Sequence, residues 1–197
     1  MSIKVLKAGF QDLIQDMGRF GNTHMGISPS GAADNISLRI GNLLLDNDIN
    51  DPGIEITLFG GSYYFNKDAI IVLSGSDFTS TIDGKIISFY KPVSVKTGQT
   101  LSISQTTDGA RCYLCIKGGF QVPPTLNSTS THILSKIGGF NGRSLKKKDE
   151  ILFSNSNNKN LNKNNNFHFD NDRSVLRVTK GLQYDLFDSS NKNLFFN

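Results

Sequence analysis

Apolar residues in this chain come in short runs of alternating or continuous hydrophobics, cut at close intervals by glycine. Ile3 to Leu6, ending at Gly9, predicts a first strand. After Asp51-Pro52-Gly53 the β pattern continues for about a hundred residues. Ile54 to Phe59 and Ser62 to Phe65 flank Gly60-Gly61, which reads as a hairpin turn, and Ala69 to Leu73 reads as a buried strand. Thr79 to Ile82 and Lys85 to Tyr90 flank Asp83-Gly84, the strongest short hairpin signal in the chain. Val93 to Val95, Leu101 to Ser104, Arg111 to Ile116 and Asp149 to Phe153 complete the predicted strands. Only the segment after Asp34 has a helical period. There Ile36, Ile40, Leu43 and Leu44 fall on one stripe and Asp34 is a good N-cap. The pattern predicts a mainly β fold, a closed or nearly closed barrel, with one short helix near the N-terminus.

Three stretches depart from it. Gln15 to Asp34 (QDMGRFGNTHMGISPSGAAD) carries four glycines and little apolar content, which argues against a core helix or buried strand and for a loop with positive φ and close backbone approach. Val122 to His132 is a Pro- and hydroxyl-rich loop, followed by a Gly-rich turn at Ile137 to Phe140. Ser154 to Asn166 is Asn/Lys-rich and nearly free of apolar residues, as in a mobile linker. These breaks predict a barrel domain at 1–153, a linker at 154–172 and, at 173–197, the start of a second unit whose first strand is Val175 to Val178.

The chain has 197 residues, enough for one sizeable core, and a net charge of +4. Much of the basic excess comes from Lys146, Lys147, Lys148, Lys159 and Lys163, without interleaved Arg and aromatics, so no nucleic-acid partner is expected. There is no secretory signal and no apolar run long enough for a membrane, so a cytoplasmic location is expected. Cys112 and Cys115 form one CxxC with no second pair or nearby His, so no metal site is expected. Strand alternation places the two sulfurs on opposite faces, as reduced core thiols.

No GxxxxGK[ST], GxGxxG, HExxH or GxSxG pattern occurs, so neither a phosphate loop nor a serine triad has support. Loop chemistry remains. Arg19 offers a planar fork to a carboxylate or phosphate, and Asp16 lies three residues away to orient it or act as a base. His24 in the loop and His132 in the second polar segment are candidate acid–base groups. Main-chain N–H groups around Ser28, Ser30 and Gly31 suit an oxyanion, and Asp34 stands where a helix start either is capped or receives an anion. Glu55 and Thr57 are polar within an apolar strand and face either a site or solvent. The competing reading is an ordinary surface loop whose Arg–Asp set is structural.

The runs GFQDLIQDMGRFGNTHMGISPSGAAD, LRIGNLLLDN, IEITLFGGSYYF, LSGSDF, YLCIKGGFQVPPTLNSTST and GGFNGRSLKKKD together resemble the C subunit of 5-oxoprolinase, the Kip-antagonist family. That family is related to the second subunit of allophanate hydrolase and to the carboxyltransferase region of urea amidolyase. The loop pattern matches at Gln15, Asp16, Gly18, Arg19, Gly21, Gly26, Ser30, Gly31 and Asp34. The resemblance implies a cyclophilin-like β-barrel. It implies work with 5-oxoprolinase subunits A and B, the latter Kip-inhibitor-like, in ATP-dependent opening of 5-oxoproline to glutamate, with ATP bound by the assembled complex. Together the readings assign Asp16, Arg19 and His24 to catalysis, and Gln15, Ser28, Ser30, Gly31 and Asp34 to substrate binding. A urea- or allophanate-type amidolyase or carboxyltransferase subunit, or a non-catalytic regulatory binding module, are the alternatives. The family usually reads GPQ at the start of its second half, where this chain has Gly181-Leu182-Gln183 and ends soon after, so C-terminal truncation is expected.

Overall fold

The computed structural model describes residues 1–154 and 178–196. The chain divides into two compact units, Met1–Asn166 and Phe167–Asn197. The expected linker, beyond Ser154, and the expected strand before Val178 lie outside the described residues.

Among the described residues the first unit is one curled antiparallel sheet of ten strands with a single α-helix: β1 (Ser2–Lys7), β2 (Gln11–Gln15), α1 (Asn35–Leu43), β3 (Gly53–Thr57), β4 (Ser62–Phe65), β5 (Ala69–Ile82), β6 (Lys85–Ile86), β7 (Val93–Val95), β8 (Thr100–Ile116), β9 (Phe120–Gln121) and β10 (Glu150–Phe153). The order across the sheet is β2-β3-β8-β4-β1-β10-β9, with β5 on the other side of β8 and β6 and β7 attached to β5. The mainly β architecture and the lone early helix follow the sequence pattern.

Its details differ in four places. The strands expected at Ala69 to Leu73 and Thr79 to Ile82 are one, as are those at Leu101 to Ser104 and Arg111 to Ile116. The resulting β5 and β8 pair from Ile71↔Ile116 to Ile82↔Leu101. The residues that look like breaks are bulges: register slips between Gly75 and Ser80 bend the ladder without ending it. Gly75 sits at φ +99°, with a Cβ there 2.7 Å from the Arg111 carbonyl, so only glycine fits.

Gly60-Gly61 is not a hairpin turn. β3 pairs with β8 at Ile54↔Leu114 to Thr57↔Arg111, and after a bridge at Phe59↔Gln105 the chain continues along the same strand as β4, at Ser62↔Ser102. The two glycines permit crowding instead. A Cβ on Gly61 would collide with the Lys7 carbonyl, and one on Gly60 would stand 2.7 Å from Ile103 Cγ2.

The hairpin at Asp83-Gly84 is present, with both residues at positive φ (+47° and +82°), the twist a two-residue turn needs. Its second strand stops at Ile86, well short of the expected Tyr90.

The fourth difference concerns α1. Asp34 caps it, accepting from Ser37 N at 3.0 Å. Ile36 and Leu43, two members of the predicted stripe, are 56% and 53% exposed, whereas Leu38, Ile40, Leu44 and Leu45 are buried against Val72, Tyr113 and Cys115. The helix is rotated because it meets the sheet through Gly41. A Cβ at that position would lie 2.7 Å from both Cys115 Sγ and Ser74 Oγ. The Ser74 hydroxyl also donates to the Ser37 carbonyl at 2.7 Å, holding helix and sheet together.

The other face of the sheet encloses the main core, built from Ile3, Ile14, Ile54, Ile56, Phe65, Leu73 and Leu114 among others. Cys112 belongs to that core and Cys115 to the helix-covered face, so the sulfurs do lie on opposite faces, both free and buried. Burial pushes both thiols well above their ordinary pKa.

The described part of the second unit contains a 3-10 turn at Tyr184–Leu186 and α2 (Ser189–Phe196). The Lys180 and Lys192 ammonium groups stand over the Tyr184 ring at 4.6 and 4.7 Å. No helix among the described residues is long and apolar enough to cross a membrane.

Candidate functional site

The glycine loop begins inside the sheet. β2 pairs with β3 from Gln11↔Thr57 to Gln15↔Gly53, so the stretch expected to exclude a buried strand starts with the end of one. Gln15, Asp16 and Arg19 are all buried. Their polarity conceals this in the sequence; in the fold it is matched by a segment more than a hundred residues away.

From Asp16 the chain leaves the sheet and returns at Ala32. The Arg19 N–H donates to the Pro29 carbonyl at 2.7 Å and the Ala32 N–H to the Asp16 carbonyl at 2.9 Å, closing the stem. Gly18 (φ +99°) and Gly31 (φ +97°) let the arms touch. A Cβ on either would stand 2.8 Å from a carbonyl oxygen of the opposite arm. Beyond the stem, the tip carries His24 in an exposed 3-10 turn, Thr23–Met25.

Asp16 ties this stem to the segment Ser128 to Thr131. Its carboxylate accepts from Ser128 Oγ (2.7 Å), Thr129 N (2.6 Å), Thr129 Oγ1 (3.0 Å), Gly18 N (2.8 Å) and Ser130 Oγ. Burial alone would raise its pKa, but these donors outweigh burial and hold it below the ordinary value of 3.8. Thr131 completes the seam, its N–H and hydroxyl donating to the Ile14 carbonyl at 3.0 and 2.9 Å.

Arg19 lies under the same seam, 1% exposed. Its Nη2 donates to the Ser130 carbonyl and its Nε to the Thr125 carbonyl at 3.5 Å, while Nη1 is buried without a partner. None of the ion pairs among the described residues includes it. Burial lowers its pKa, and the field of Asp16 acts against that fall. Gly138 (φ +67°) packs directly on this guanidinium, where a Cβ would collide with Nη2 and with the Ser130 carbonyl.

Two further polar atoms of the loop are buried without partners. Gln15 donates through Nε2 to the Thr131 carbonyl at 3.2 Å, leaving Oε1 unmatched. Ser30, at φ +54°, donates its N–H to Ser28 Oγ at 3.3 Å, but its own hydroxyl has no partner.

Of the predicted site residues, Gln15, Asp16, Arg19, Ser28, Ser30 and Gly31 therefore share one assembly. His24 makes no hydrogen bond or ion pair with it, and His132 is engaged through its main chain with Ile137. Asp34 acts as the helix cap, its carboxylate accepting from the Ser37 N–H and hydroxyl at the helix start where an anion is the alternative. Ser128, Ser130, Thr131 and Gly138 join the site without a sequence signal of their own. Their segments read as hydroxyl- and Gly-rich loops, but nothing local marks them as partners of Asp16 and Arg19.

A second polar group lies where β3 passes under the loop. Glu55 accepts at Oε2 from Ala33 N and from the Tyr113 hydroxyl, both at 2.8 Å, and Asp34 N donates to that hydroxyl at 2.7 Å. Arg111 Nε stands 3.7 Å from Glu55 Oε1. An open cavity of about 760 Å³ in the second unit, lined by Tyr184, Phe187 and Phe195 among others, contains none of these residues.

The family model for the carboxyltransferase domain, subdomain A and B, matches residues 25–197. Urea amidolyase of Saccharomyces cerevisiae is 44% identical over 157 residues, covering 79% of this chain and 8% of that protein. The 5-oxoprolinase C subunit of Haemophilus influenzae is 39% identical over 153 residues (78% of this chain, 50% of that protein). That of Escherichia coli is 33% identical over 194 residues, 98% of this chain and 62% of that protein. The Kluyveromyces lactis urea amidolyase structure superposes with a TM-score of 0.76 at 37% identity, over 77% of this chain and 9% of that one. This chain thus spans less than two thirds of each of these relatives. With the sheet, the loop seam and these matches together, the chain belongs to the carboxyltransferase domain family, subdomains A and B, that includes the C subunit of 5-oxoprolinase.

Proposed function

We propose that this chain is a subunit of an ATP-dependent 5-oxoprolinase, a cytoplasmic complex in which it acts with subunits A and B to open the lactam of 5-oxo-L-proline to L-glutamate. One observation carries the reading: the Arg19 guanidinium is 1% exposed, has an unpartnered Nη1, and forms no ion pair among the described residues. The Asp16 carboxylate offsets part of the cost of burying this cation, and an anion at the unpartnered Nη1 would offset more. 5-Oxoproline brings a carboxylate, as allophanate does, whereas urea is neutral. Similarity to the E. coli 5-oxoprolinase C subunit, extending over 98% of the chain, agrees with this choice.

In this reading Arg19 holds the substrate carboxylate, and the unmatched Ser30 hydroxyl and Gln15 Oε1 are available to its polar atoms. Asp16 is a positioning residue. With five donors on its oxygens and a lowered pKa it is a poor proton acceptor, and its work is to hold the 128–131 segment against the stem. His24 receives no step. The start of α1 does not suit a phosphate, because it opens on the Asp34 carboxylate, and the nucleotide is assigned to the assembled complex.

The test is co-expression with subunits A and B and measurement of glutamate released from 5-oxoproline with and without ATP. Release only with ATP, lost in Arg19→Ala, is the expected result. The 44% identity to yeast urea amidolyase favours a second reading, urea-type chemistry, and the same complex turning over urea instead would establish it.

A further inference from the structure

We propose that Glu55, Thr57 and Arg111 form a binding site for a planar amide group, –CO–NH–, on the helix-covered side of the sheet. Amide binding here rests on the geometry alone and is independent of the Arg19 site, to which the 5-oxoprolinase reading assigns the substrate.

Glu55 and Thr57 are two residues apart on β3 and so share a face. Thr57 is paired directly with Arg111 of β8, which places their side chains about 5 Å apart at Cβ. Three groups here lack counterparts. The Thr57 hydroxyl, on a residue 7% exposed, is buried without a partner, and so is Arg111 Nε. Glu55 Oε2 is filled by Ala33 N and the Tyr113 hydroxyl, but Oε1 has only Arg111 Nε at 3.7 Å, too far for a hydrogen bond. Two donors and one acceptor thus stand together without hydrogen bonds, Arg111 and Glu55 being joined only by the longer ion pair.

The backbone beside them is strained. Leu58 lies at φ +59° and the Phe59 N–H donates back to the Thr57 carbonyl at 2.7 Å, the rarer form of γ-turn. A large side chain at positive φ costs about 1 to 3 kcal/mol and persists only where the surroundings impose it. This turn fixes where β3 ends and which way Thr57 faces. The Arg111 side chain is 40% exposed, so it reaches from the buried pair to the surface.

The unused set selects its ligand. A carboxylate would meet the Glu55 oxygen, and an ammonium group would meet the Arg111 guanidinium, each at a like charge. An amide matches all three: its carbonyl accepts from Arg111 Nε and Thr57 Oγ1, and its N–H donates to Glu55 Oε1.

The test uses the full chain, labelled with 15N, titrated with 2-pyrrolidinone, a lactam without a carboxylate. Saturable shifts at Glu55, Thr57, Leu58 and Arg111 are expected. Thr57→Val should weaken binding at least tenfold while melting no lower than wild type, because it removes an unmatched buried hydroxyl. Arg111→Gln should weaken binding in the same way. Cyclopentanone, with a carbonyl but no N–H, should bind at least tenfold more weakly than the lactam. Absence of saturation, unchanged affinity in Thr57→Val, or equal binding of cyclopentanone would each overturn the proposal. Lactam binding in a chain whose complex does not hydrolyse 5-oxoproline would remove the functional reading and leave this site standing. Hydrolysis by a complex whose chain shows no saturation with the lactam would do the reverse.

Discussion

Asp16 and Ser130, 114 residues apart, are bonded twice over: the Ser130 hydroxyl donates to Oδ1 of Asp16 and accepts the Asp16 N–H at 3.1 Å. Ser130 also offers its carbonyl to Arg19, so a single residue fixes both the acid and the base of the loop. Replacing Asp16 with Asn should remove charge-assisted bonds and set an amide NH2 against hydroxyl and N–H donors. The expected cost is about 3 kcal/mol in urea unfolding, with loss of turnover in the assembled complex. A stability change within about 0.5 kcal/mol of wild type would show, on the usual scale for surface substitutions, that the clasp is not structural.

The same pair shows what a sequence can and cannot disclose here. The Gly–Arg–Asp loop is legible because glycine density and a lone arginine are local signals. Its partner is not, because Ser128 to Thr131 reads only as a polar loop until folding brings it to β2. Strand positions are legible from alternation, but Gly75 falls in an apparent break and Gly60 reads as a turn, and they are in fact bulge and close-contact residues, a distinction set by neighbours distant in the chain. The helix is legible from its cap and period, yet its buried face is not, because counting apolar residues gives no weight to Gly41.

The helix face is separately testable. Gly41→Ala gains about 1 kcal/mol of helix propensity but forces a methyl onto Cys115 Sγ and Ser74 Oγ, and overpacking costs about 1 to 3 kcal/mol. Net destabilisation is expected, whereas Leu43→Ala, at an exposed position, should change stability by less than about 0.5 kcal/mol. Thermal melts of the two variants check this, and the reverse order would return Leu43 to the core.

Cys112 and Cys115 are buried on opposite faces, with thiol pKa values raised by burial. Neither should react with iodoacetamide at about pH 8 in the native chain, and both should react in urea. Mass spectrometry of alkylated native protein reads the outcome directly.

Two buried acids act oppositely on pH dependence. The pKa of Asp16 is lowered in the fold, so its contribution is present above the ordinary value of 3.8 and is lost as pH falls through its folded value. Burial raises that of Asp12, despite hydrogen bonds from Gly9 N and Tyr63 Oη, so its contribution is full below 3.8 and is lost as pH rises through its folded value. Unfolding midpoints measured from about pH 5 downward, through 3.8 and below, should therefore fall less steeply in Asp16→Asn than in wild type.

The most direct test of the central claim is glutamate release from 5-oxoproline by the complex containing Arg19→Ala, with circular dichroism confirming that the sheet is intact. The account predicts ATP-dependent release with the wild-type chain and at least a hundredfold less with the variant. Undiminished release from a folded Arg19→Ala chain would contradict it.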